Sequence, residues 1–100
     1  MPTFVMLATL TEKGREDIKG IAERRDKNIE ELQAEGIRTI GDYALMGEYD
    51  FMYVVEAPDH ETLMRRIAKD TGSGRLIFHT MLAFPLEQFE QMVKQQETKS

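Results

Sequence analysis

Cysteine is absent from this 100-residue chain. That excludes disulfides, thiolate metal sites and cysteine nucleophiles together, and it fits a reducing, cytoplasmic setting. Positive charge is in deficit: 13 Lys and Arg against 18 Asp and Glu leave a net charge of −5 and a pI near 5.0. Such a surface repels phosphate backbones, so no nucleic-acid partner is expected. The densest basic groupings, Arg24-Arg25-Asp26-Lys27 and Arg65-Arg66, sit among acids in helical segments. No apolar run is long enough to span a bilayer. Pro2 to Leu10 comes nearest, but it is far too short and has neither a basic lead-in nor a cleavage site, so it reads as a strand and no membrane partner is expected. Also missing are a phosphate loop, a Ser-His-Asp order, a paired-glutamate motif, a dinucleotide fingerprint, internal repeats and low-complexity tracts. No cofactor is implied.

The composition that remains, 41% hydrophobic and 31% charged, is that of one globular domain covering 1–100 with a thin core. Thr3 to Leu10 is a nearly all-apolar strand. Thr11 can cap a helix running from about Glu12 to Glu35, with Ile18, Ile21, Ala22, Ile29 and Leu32 at helical spacing, Gly20 weakening it by roughly 1 kcal/mol, and Gly36 ending it. Ile37 to Met46 is a more polar strand, and Gly47-Glu48 fits a two-residue II′ turn into the return strand Tyr49 to Ala57. Asp59 can cap a second helix to about Thr71, Gly72-Ser73-Gly74 breaks the chain, and Leu76 to Phe84 is the last strand. Pro85 opens a short amphipathic helix carrying Leu86, Phe89, Met92 and Val93, with a frayed end from Gln95 to Ser100.

The order β-α-β-β-α-β plus a C-terminal helix is the ferredoxin-like α+β pattern, an antiparallel sheet with strands one and three central and strand two at an edge. Two helices cover only one face of such a sheet, and the other face of a monomer should carry polar residues in alternation. These strands do not alternate. Val5 and Leu7 oppose Phe4, Met6 and Ala8, and Ile77, Met81 and Ala83 oppose Phe78 and Leu82. A second apolar face needs cover, so a homodimer or higher homo-oligomer, sheet against sheet, is expected in preference to the C-terminal helix folding across it.

Met46-Gly47-Glu48-Tyr49-Asp50, then Val55-Glu56-Ala57-Pro58-Asp59, the glycine break, and Thr80, Ala83 and Phe84 resemble the GYD domain family, as does the opening Pro2-Thr3-Phe4. The resemblance implies a dimeric α/β-barrel built from ferredoxin-like subunits, with no established activity. Family members carry polar or charged residues through the last strand, whereas this chain has Ile77, His79 and Leu82 there, which favours a more apolar interface or pocket.

Candidate catalytic residues are Asp50 and His79. Asp50 enters an apolar central strand, where desolvation would raise its pKa and suit acid or base work; the commoner reading is a carboxylate hydrogen-bonded to backbone amides beside the turn. In a II′ register it opposes Leu45, with Tyr43 and Met52 next on the same face. His79 could be a base or a haem or metal ligand, but a lone histidine is more often packed in a core or interface, and no metal is expected. The first strand should separate His79 from Asp50 by about 10 Å, so the two could share a ligand but not a hydrogen bond, and a dyad within one subunit is not expected. Arg25 falls in the apolar stripe of the first helix and could snorkel, pair with a carboxylate or bind an anion. Tyr43, Tyr53, Asp50 and Arg25 are the candidate ligand-binding set, although aromatics in strands usually serve packing, as do the seven methionines. The leading expectation is a homo-oligomeric module that binds a small apolar or weakly acidic molecule, or serves interaction, without turnover. The alternative is a cofactor-independent isomerase, dehydratase or monooxygenase acting on a small aromatic or polyketide-like substrate, by analogy of fold.

Overall fold

A computed structural model describes residues 1–99, with side chains through Gln96. The elements run β1 (Thr3–Leu10), α1 (Glu12–Glu16), a 3-10 turn (Ile18–Gly20), α2 (Ile21–Ala34), β2 (Arg38–Ala44), β3 (Phe51–Glu56), α3 (His60–Gly72), β4 (Leu76–Ala83) and α4 (Leu86–Lys99). The sheet order is β2-β3-β1-β4, all neighbours antiparallel, so β1 and β3 are central and β2 is an edge strand, as expected of the ferredoxin-like pattern.

The caps follow from residue chemistry. The Thr11 hydroxyl accepts from the Gly14 N–H, and the Asp59 carboxylate accepts from the Thr62 N–H at 2.7 Å, each satisfying a donor that the first helical turn leaves free. The hydrogen bonding to Thr62, its backbone N–H first, holds the Asp59 carboxyl below the usual carboxylate range. Helix α2 ends in a Schellman motif. Gly36 adopts φ 80°, the Ile37 N–H donates to the Leu32 carbonyl, and the Gly36 N–H donates to that of Gln33. The motif delivers Ile37 into the core, where it is fully buried.

Two local expectations are corrected. The helix from Glu12 to Glu35 is broken at Asp17–Gly20. There the Gly20 N–H donates to the Asp17 carbonyl in a 3-10 turn, and the Arg24 guanidinium, folded over Gly20, donates to the same carbonyl at 2.7 Å. The β2–β3 connection is wider than a two-residue turn, spanning 45–50. The register is nevertheless the expected one, with Tyr43 opposite Met52 and the Leu45 N–H donating to the Asp50 carbonyl. The turn opens because Asp50 is drawn toward β1 instead: its N–H donates to the Ala8 carbonyl. Helix α4 continues through the expected frayed tail to Lys99, and Ser100 lies outside the described residues.

Phe4, Met6, Val55, Ala57, Ile37 and Leu63 form the buried core. It sits between the sheet and α3, at the Schellman end of α2. The opposite sheet face bears Val5 and Leu7 from β1, Met52 and Val54 from β3, and Ile77 and Met81 from β4, with no helix of its own chain over it among the described residues. Ile77 is 55% and Met81 46% exposed. Among the described residues, helix α4 has no packed interface with any other element, and Leu86, Phe89, Met92 and Val93 are all exposed along it. The radius of gyration is accordingly 16.0 Å and the longest dimension 56 Å, against about 13 Å for a compact domain of 100 residues.

Candidate functional site

A cavity of about 580 Å³ lies between α2 and the helix-facing side of the sheet, within the range of small-molecule pockets. Its floor is Met6, Leu10, Phe51, Tyr53, Leu76 and Phe78. It exists because α2 lacks the apolar residues to fill it: Arg24, Arg25 and Asn28 interleave with Ile21, Ile29 and Leu32 along the face that looks down on the sheet. Leu32 packs against the core at one end; along the rest of the helix ionic contacts do most of the holding.

The main tether is Arg66, 3% exposed. Its guanidinium reaches Glu31 (2.8 Å), Asn28 (3.1 Å) and, more loosely, Glu35 (3.5 Å) on α2, and Asp70 (3.1 Å) on its own helix. Burial alone would lower its pKa, but the surrounding carboxylates reverse that and hold it raised. Glu31, hydrogen-bonded to Arg66 and Lys69, is held below its ordinary value. Asp70 is the more buried acid, and desolvation pushes its carboxyl up against the opposing pull of Arg66. A second tether at the sheet edge is Arg25 Nε to Asp42 Oδ2 at 2.7 Å; this hydrogen bond lowers the Asp42 pKa. A third, Arg75 Nε to Asp17 Oδ2 at 3.0 Å, closes the far end.

Tyr53 stands on the cavity floor between Phe51 and Phe78, with ring centroids 6.2 and 6.5 Å away. Burial first, then the carboxylates of Asp42 and Asp70, push its phenol up to about 12, so it is a neutral donor at physiological pH. Among the described residues its hydroxyl has no hydrogen-bond partner, and no buried side-chain polar atom is left unsatisfied. The hydroxyl therefore opens onto accessible space, which here is the cavity.

The structure brings together only part of the candidate set. Tyr53 and Arg25 both line the cavity, but the Arg25 side chain is 55% exposed and committed to Asp42. Tyr43 touches the cavity rim; its register with Met52 turns the ring to the other face, where it lies over Gly41. Asp50 lies outside the cavity. Its Oδ2 accepts from the Leu10 N–H at 2.8 Å, extending the β1–β3 ladder past its last backbone pair. His79 is exposed on the uncovered face, opposite Leu7 and edge-on to Tyr49 at 5.6 Å. β1 lies between the strands that carry Asp50 and His79. His60 packs edge-on against Phe4.

Sequence reasoning missed Arg66 and Arg24. Arg66 had a readable signal, since it falls three residues after the core residue Leu63 and four before Asp70, on the inward stripe of α3. Arg24 had none, because its role depends on the helix break.

A four-stranded sheet in this order, with helices on one face and a cavity beneath them, defines a ferredoxin-like α+β subunit. Residues 4–93 match the GYD domain. The chain is also 38% identical over 87 residues to the glutamine synthetase and cystathionine beta-lyase binding protein of Thermus thermophilus, covering 86% of this chain and 92% of that one. It belongs to the GYD domain family. Among solved structures, MtbAldR superposes with a TM-score of 0.64 at 15% identity over 84% of this chain, which spans about half (52%) of that longer one. The hypothetical protein PHS023 from Pyrococcus horikoshii superposes at 0.53 with 24% identity, over 85% of this chain and 92% of that one. At these identities the two structures share the fold.

Proposed function

We propose that this protein is a homo-oligomeric binding module of the cytoplasm, in which the uncovered sheet face seals against a second copy and the cavity under α2 receives a small molecule, without turnover. The observation that carries the reading is the uncovered face itself. Strands of up to eight residues, four abreast, offer a plane of roughly 500 Å², a large part of the roughly 800 Å² per partner of a stable interface. Its centre is apolar and the ion pair of Arg38 with Glu56 lies at an edge, the arrangement of an apolar interface core with a charged rim, which a two-fold axis would pair with its own copy. In this reading the exposed apolar stripe of α4, Leu86, Phe89, Met92 and Val93, packs on the second copy as well.

The likeness to a protein named for binding two enzymes supports interaction as the activity, and docking on larger metabolic enzymes follows from it. Light scattering tests the assembly. The full chain should give a mass of two chains or a multiple, and Met81→Glu, which plants a charge in the middle of the face, should give one. A one-chain mass for the unaltered protein at all concentrations would overturn the homo-oligomer.

A further inference from the structure

We propose that the cavity under α2 takes a small monocarboxylate with a flat apolar body, its carboxylate held by Arg24 and its body lying on Phe51, Leu76 and Phe78. This deepens the binding-module reading and rests on its small-molecule half.

Four arginines line the cavity, and three are spent: Arg25 on Asp42, Arg75 on Asp17, and Arg66 on Glu31, Glu35 and Asp70. Arg24 differs. It is half-buried, its Nη2 donates to the Asp17 carbonyl, and among the described residues no carboxylate lies within ion-pair distance of it. A guanidinium has five donors in a rigid fork that matches a carboxylate. In a chain with 18 acids against 13 bases, a half-buried arginine that faces an apolar cavity and lacks an acid of its own is suited to an anion brought from outside.

The rest of the cavity limits that anion. Among the described residues one free cation is there to meet it, and two carboxylates, Asp42 and Asp70, already line the other end of the cavity. A second negative charge on the ligand would be repelled. The unpartnered Tyr53 hydroxyl, a neutral donor, can instead meet a carbonyl or hydroxyl on the ligand body. The rings of Phe51, Tyr53 and Phe78 pave the floor, and aromatic faces favour a flat partner.

Calorimetric titration of the full chain with 2-naphthoate and with its uncharged counterpart 2-acetylnaphthalene tests this. One site per chain is expected, with the carboxylate at least tenfold tighter. Arg24→Gln should erase that preference while leaving 2-acetylnaphthalene binding unchanged, and Arg24→Lys should keep most of it. Ala22→Phe, which fills the cavity from α2 without touching an ion pair, should abolish binding of both probes, and it locates the site should Arg24→Gln not fold. Equal or tighter binding of the uncharged probe, or a preference that survives Arg24→Gln, would overturn the carboxylate assignment and leave the binding module standing. Failure of both probes to bind, or binding that survives Ala22→Phe and is lost in Met81→Glu, would overturn the cavity as the site and with it the small-molecule half of the module.

Discussion

The two faces of the sheet are similar in sequence and opposite in circumstance. Phe4, Met6 and Ala8 of β1 point under the helices and are buried, while Val5 and Leu7, their neighbours in the same strand, point to a face that no described helix of this chain covers. Hydrophobicity is nearly equal on the two sides, so what differs is the origin of the cover. One face is closed by its own chain, through α3 and a helix α2 held largely by ion pairs; the other, on the reading proposed above, is closed by a second copy. Stability should therefore be intrinsic on one side and dependent on protein concentration on the other.

Adjacent substitutions in β1 are the sharpest way to break that contrast. Met6→Ala removes a buried side chain and should cost about 2–5 kcal/mol, lowering Tm by roughly 10 °C or more at every protein concentration. Leu7→Ala should cost less, and its effect should grow on dilution, since in the proposed assembly its partner is another molecule. Thermal melts over a hundredfold range of concentration measure both. Equal, concentration-independent losses would mean that the two faces do not differ in this way. Next in size is Arg66→Met, which leaves Glu31, Glu35 and Asp70 without their shared cation. Loss of one partner from a fully buried pair costs about 3–5 kcal/mol; these carboxylates keep some contact with water, so about 2–3 kcal/mol is expected in chemical denaturation. A neutral result would show that α2 is held by something other than this cluster.

Much of this arrangement was legible because it depends on local chemistry. The strand order, the Asp59 and Thr11 caps, the stop at Gly36 and the two-sided greasiness of β1 and β4 all follow from spacing and residue type. What was hidden depends on groups distant in sequence. Gly20 read as a weak point inside one helix, yet the helix breaks there, and Arg24 reaches back to the Asp17 carbonyl at the break. Arg66 read only as half of a basic grouping among acids, because Glu31 and Glu35 meet it from a distant part of the chain. Arg25 did fall on the inward stripe, but the edge position of β2 let Asp42 draw it outward. The cavity has no sequence signature of its own, since it is the volume that α2 fails to fill.

Asp50 sharpens the comparison at the point where the faces meet. Its carboxylate ties the hairpin to the end of β1, so Asp50→Ala should cost about 1–2 kcal/mol through the unpaired Leu10 N–H. Asp50→Asn, which keeps an acceptor, should cost less than about 1 kcal/mol. Chemical denaturation of the two variants separates a structural acceptor from a group whose charge matters: equal losses would mean the charge is required.

The smallest effect concerns Tyr53, which reports the environment under α2. The folded protein holds its phenolic proton more tightly than the unfolded chain does, with the pKa raised from 10.0 to about 12. Its contribution to stability is therefore complete below pH 10 and is lost as the pH climbs through about 12. An ultraviolet titration should show one of the three tyrosines ionising near pH 12, and Tyr53→Phe should remove that step. If the late step persists in Tyr53→Phe, the desolvated phenol lies elsewhere, and the cavity floor is wetter than its aromatic lining implies.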